Sequence, residues 1–142
     1  MRRPPADRGS VSIELAILLP GFIALTLLAV MFGRETIAQS AVDLAAHDAA
    51  RAASLARTAA QAAADGEAAA RSTLDARNAA CDVLSVSIDT TGFAVPAGTP
   101  AQVTATVSCV VPLSDLSLPG MPGSFTMTST FTSPLDTYRS RT

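Results

Sequence analysis

Apolar residues run without a single charge from Leu15 to Gly33. A helix of about 19 residues is about 28 Å long, close to the ~30 Å hydrocarbon core of a bilayer, so this stretch predicts a membrane-spanning helix. From Arg34 to Ala80 Ala dominates, Pro is absent and the only glycine is Gly66. Ala is the best helix former. The pattern predicts a helix from about Ile13 to Ala64, kinked at Pro20, then a break at Gly66 and a second helix over Glu67 to Ala80. On a helical wheel Ile37, Ala41, Leu44, Leu55, Ala59 and Ala62 share one face. Asp48 and Arg51 interrupt that face at a spacing that suits a pair.

From Asp82 the period changes to two. Leu84, Val86 and Ile88 alternate with Ser85, Ser87 and Asp89. Val103, Ala105, Val107 and Cys109 alternate with Thr104, Thr106 and Ser108. Phe125, Met127 and Phe131 alternate with Thr126, Thr128 and Thr130. Three strands with one Ser/Thr-rich face are expected, joined by a turn over Thr91 to Pro100 and a longer connection over Pro112 to Gly123. The expected fold is α+β: a long N-terminal helix, membrane-spanning in its first half and Ala-rich in its second, with a small C-terminal antiparallel sheet of about three strands. The expected divisions are a leader at 1–9, a transmembrane helix at 10–34, a helical stalk at 35–80 and an extracytoplasmic β domain at 81–142. The tail from Ser133 to Thr142 is short and polar, and fraying is expected there.

Composition narrows the chemistry. With 142 residues the chain holds one small soluble domain at most. Aromatics make up 4 % and Trp is absent, so the apolar content is mostly Ala, Val and Leu, which favours long helices over an aromatic-rich core. Net charge is −2, which argues against a nucleic-acid partner. One histidine, His47, and two cysteines, Cys81 and Cys109, cannot build a four-ligand zinc site. No Gly-x-Ser-x-Gly and no Gly-rich phosphate loop occurs, and His47 reads as a solvated polar residue. No catalytic residue, cofactor or metal is expected. Cys81 is placed at the end of the second helix and Cys109 on the inward face of the second strand. Outside the cytoplasm they can form a disulfide; in a reducing compartment they would be two buried thiols.

The flanks of the apolar run set its expected orientation. Arg2, Arg3 and Arg8 outweigh Asp7 before it, which predicts a cytoplasmic N-terminus and a translocated C-terminal part. The run is longer than the apolar region of a secretory signal peptide, although Ala38-Gln39-Ser40 has the form of a weak cleavage site. Glu14 lies at the edge of the run, where a carboxylate is costly without a partner. Arg8, six residues upstream, is poorly spaced to serve. A cut after Gly9 would free an α-amine on Ser10, and the amine of a neighbouring subunit could then pair with Glu14.

Gly9, followed by Ser10-Val11-Ser12-Ile13-Glu14 and an uncharged helix, resembles the class III signal of type IV pilins and pseudopilins. The fuller string from Asp7 to Pro20 is similar to the TadE-like proteins of tight-adherence, Flp-type pilus systems, with Leu15 where those proteins usually carry an aromatic. The resemblance implies processing by a prepilin peptidase between Gly9 and Ser10. It also implies a membrane-anchored minor pilin-like subunit that contacts other pilin-like subunits in a pilus or its assembly machine. The alternative is an uncleaved, single-pass membrane-anchored adaptor or extracellular binding module.

Overall fold

The computed structural model describes residues 10–79, 81–112 and 123–138, and within the first helix the side chains of 14–30, 32, 33 and 36–55. Two compact units result, one covering 1–34 and the other 35–142. Helix α1 spans Ser10–Leu55 and contains Pro20. Helix α2 spans Ala59–Ala76, and three strands follow: β1 (Val83–Asp89), β2 (Gln102–Pro112) and β3 (Ser124–Pro134).

In the first unit the described part is helix alone. The expected membrane-spanning first half is corrected: among the described residues no helix is long and apolar enough to cross a membrane.

The second unit is an α+β sandwich of small residues. Ala41, Val42, Ala45, Ala46, Ala49, Ala50 and Ala53 are buried along α1. These positions recur at three- and four-residue intervals and form one helical face. That face is not the expected stripe, since Ile37 and Leu55 are exposed and Leu44 is only half-buried. Methyl-sized side chains point inward because they let two partners approach the same helix closely, α2 through Ala70 and Leu74 and the sheet through Ala105, Val107, Cys109, Val111 and Met127.

The expected helical break is also displaced. α1 ends at Leu55, and α2 starts after Thr58, whose extended backbone and Oγ1 cap the helix by accepting the Gln61 N–H at 3.2 Å. Gln61 Oε1 reaches back to the Arg57 N–H at 3.5 Å. The chain therefore folds back at 56–58, placing Ala62 with Ala53 and Leu74 with the 41–50 face. Gly66 lies inside α2 and is buried. A Cβ there would sit 2.9 Å from Ile88 Cδ1 and 3.2 Å from the Ala49 carbonyl oxygen. Its role is close packing rather than chain reversal. α2 stops at Ala76, not Ala80. Asn78 adopts φ 51°, Ala79 N–H donates to the Leu74 carbonyl at 3.0 Å, and Asn78 N–H donates to the Asp75 carbonyl at 3.0 Å. This left-handed cap satisfies the last carbonyls.

The sheet is antiparallel in the order β1-β2-β3. Val86 faces Val107, and Cys109 faces Met127, so the apolar sides of all three strands coincide. The alternation read from the sequence holds in burial along β1 and β2; in β3 Met127 is buried, while Phe125 and Phe131 on the same side are exposed. Two segments expected to be irregular or frayed contribute core. Phe93, in a short 3-10 turn over Thr91–Ala94, is buried with Ala53, Ala56, Ala62, Val103 and Leu135. Leu135 is tied down as its N–H donates to the Ala101 carbonyl at 2.9 Å, and the Thr137 carbonyl accepts from Gly98 N–H at 2.7 Å.

Candidate assembly surface

The described part of the first unit exposes large apolar side chains in every direction. Leu18 is 67 % exposed and Phe22 68 %, and Leu15, Ile17, Leu19, Ile23, Leu25, Leu27, Leu28, Val30 and Phe32 are exposed too. Soluble proteins rarely leave contiguous apolar patches above a few hundred Å² uncovered, and such patches mark interaction sites. Glu14 stands exposed at the start of this surface. Inside it, Pro20 withholds a backbone N–H from the helical ladder, and the Thr26 hydroxyl donates to the Phe22 carbonyl at 2.8 Å. Gly9 lies outside the described residues. Ser10 is the first residue of α1.

In the second unit the structure joins Cys81 and Cys109 by a disulfide, with Cα atoms 5.3 Å apart. The bridge ties the segment between α2 and β1 to the buried side of β2. His47 is half-buried. Its ring meets Phe131 edge-on at 4.5 Å between centroids, and its Nδ1 lies 3.4 Å from Asp48 Oδ1. Asp48 Oδ2 accepts the Thr73 hydroxyl at 2.8 Å, so the carboxylate turns to α2 rather than to Arg51. These contacts hold α1, α2 and β3 together.

A shallow groove near the end of the sheet is lined by Asp89, Thr91, Gln102, Thr104 and Pro134, among others. Asp89 accepts the Thr91 N–H at 2.9 Å. That bond, with the Thr91 hydroxyl, holds the Asp89 carboxyl below the ordinary aspartate range. Among the described residues that line it there is no imidazole, thiol or amine. Among the described residues no cluster of His, Cys, Asp and Glu could hold a metal ion.

Of the residues singled out from the sequence, the structure brings Cys81 and Cys109 together and leaves Glu14 on an open helix surface. The contribution of Phe93 and Leu135 went unread because both lie among Pro, Gly and polar residues that signal turns. The helix cap carried a usable signal, Thr58-Ala59-Ala60-Gln61, which has the form of a capping box.

Residues 9–51 match the family model described as TadE-like protein. The match agrees with the resemblance drawn from Asp7 to Pro20 and extends it through the inward Ala face of α1 as far as Arg51. Over that segment the chain is similar to TadE-like proteins, a family associated with pili. No curated protein and no solved structure matches the chain.

Proposed function

We propose that this chain is a pilin-like structural subunit of a tight-adherence pilus or a related secretion apparatus, cut by a prepilin peptidase between Gly9 and Ser10. The observation that carries the reading is the row of exposed apolar side chains from Leu15 to Val30 among the described residues, headed by Glu14, within a segment that matches the TadE-like model. That surface is available to be buried against the corresponding helices of other pilin-like subunits, where apolar side chains leave water together. Cleavage places a cationic α-amine on Ser10, and Glu14 of one subunit neutralises the amine of its neighbour. The disulfide supports a second unit that works outside the cytoplasm, since reducing compartments keep thiols apart.

Mass spectrometry of the protein recovered from cells tests the cut: a mature species beginning at Ser10 is expected. An intact leader from Met1 to Gly9 would overturn it and favour an uncleaved adaptor. Glu14→Ala tests the pairing. Processing should continue while incorporation into the assembly falls about tenfold, the loss of one charge-assisted contact of about 1.4 kcal/mol. Wild-type incorporation would refute the pairing.

A further inference from the structure

Among the described residues the three-stranded sheet is open at both edges, and the two edges differ. β1 is short, is flanked by Asp82 and ends in Asp89, and its Ile88 side chain is pressed against Gly66 of α2. β3 runs for 11 residues from Ser124 to Pro134, carries no charged residue and, among the described residues, pairs only with β2. An edge strand that is long, uncharged and hydrogen-bonded on one side is a template for another strand unless it is blunted. Natural edges are commonly protected by charge, Pro or a bulge, and β3 has none of these before its last residue.

The side chains of β3 select the occupant. On the outer face Thr126, Thr128, Thr130 and Thr132 form an unbroken alternate row. The sheet already shows how such a row pairs: Thr132 bonds Thr104 at 3.0 Å, Thr130 bonds Thr106 at 3.1 Å and Thr128 bonds Ser108 at 3.0 Å. On the inner face Phe125 remains 48 % exposed and Phe131 40 %, although both share the side of the sheet that buries Val107 and Cys109. The apolar layer thus continues past the part that is covered.

We propose that β3 is the interface for a second copy of this chain, paired antiparallel with its own β3 about a two-fold axis through Ser129. Ser129 is the midpoint of the strand, so this register pairs the full length, from Ser124 against Pro134 of the second copy. It sets Thr128 against Thr130 and Thr126 against Thr132, repeating the hydroxyl pairs seen between β2 and β3. On the other face it sets Met127 against Phe131 and Phe125 against Ser133, which draws the exposed phenyl rings out of water. No like charges meet. The two-fold pairing closes at two copies, whereas β1 to β3 addition would not close and would carry Asp89 into the contact. The surface is separate from the helix surface assigned to pilus assembly and stands or falls independently of that reading.

Sedimentation equilibrium of the full chain in detergent tests the pairing through its register. The wild-type chain should dimerise. The double variant Thr128→Lys with Thr130→Lys puts Lys opposite Lys at two symmetry-related positions and should weaken the dimer about tenfold or more. Thr128→Lys with Thr130→Glu puts Lys opposite Glu in the same register and should restore it. Association through the helix at 15–32 does not respond to this charge swap. A monomeric wild-type chain, a Lys/Lys variant that associates like wild type, or a Lys/Glu variant that fails to recover would overturn the proposal. If the Lys/Lys variant does not fold, Ser129→Cys reads the same contact: a disulfide-linked dimer supports it, and absence of the link overturns it.

Discussion

The two units treat their apolar residues in opposite ways. In the first, Leu, Ile and Phe side chains lie open along the described helix, and in the second, Ala fills the helix–sheet contact while Ile37 and Leu55 face outward. Hydropathy alone would invert this arrangement. The difference teaches that burial follows the partner within reach rather than the size of the side chain. Ala on α1 has two partners, α2 and the sheet, and their close approach excludes anything larger. The Leu-rich stretch lies exposed among the described residues of its own unit, the surface that the proposed function would bury in assembly.

Removing the disulfide should break this contrast most severely. Cys81→Ser is expected to cost the second unit about 3–4 kcal/mol, the chain-entropy value for a loop of this size. Thermal unfolding under non-reducing conditions reads the loss, and the wild-type protein with a reductant should match the variant. An unchanged midpoint would show that the helix–sheet contact holds the unit without the bridge.

Core size comes next. Ala46 is fully buried, and Ala46→Leu should cost about 1–3 kcal/mol by overpacking. Leu18→Ala removes a larger apolar group from an exposed site and should shift the unfolding midpoint of the second unit by less than about 0.5 kcal/mol. Equal effects from these two substitutions would erase the distinction between the units. A smaller effect is expected at the chain reversal. Thr58→Ala deletes the cap of α2 and should cost about 1 kcal/mol, measurable by urea denaturation.

The smallest effect concerns acid. Asp89 has a lowered folded-state pKa because its charged form accepts the Thr91 N–H and hydroxyl. Unfolding raises that pKa, so the unfolded chain binds the proton more readily. The stabilisation is therefore complete above the ordinary aspartate pKa and is lost as pH falls through the lower folded value, below about pH 4. Asp89→Asn should flatten the acid limb of the stability profile slightly and leave neutral pH nearly unchanged. A flattening near neutral pH would assign the titration to another group.

Strand positions were readable because period two is a property of the backbone itself, and Val103, Ala105, Val107 and Cys109 point inward as their alternation required. The TadE-like segment was readable because its glycine, carboxylate and proline are fixed in spacing along the chain. Gly66 was misread as a break. Glycine signals a chain reversal and a close approach equally well, and only the neighbouring Ile88 and the Ala49 carbonyl distinguish them. Phe93 and Leu135 were hidden because a turn-rich context says nothing about what lies beneath it.

By itself, then, the order of residues determined the α+β class, the strand faces, the helix-forming regions and the TadE-like resemblance, all of which rest on signals a few residues long. Tertiary structure decided which face of the Ala-rich helix turned inward, where that helix reversed and which strands form the edges of the described sheet. These choices compare contacts between segments far apart in the chain, and closeness of approach, unlike hydropathy, belongs to a pair of surfaces rather than to any one residue.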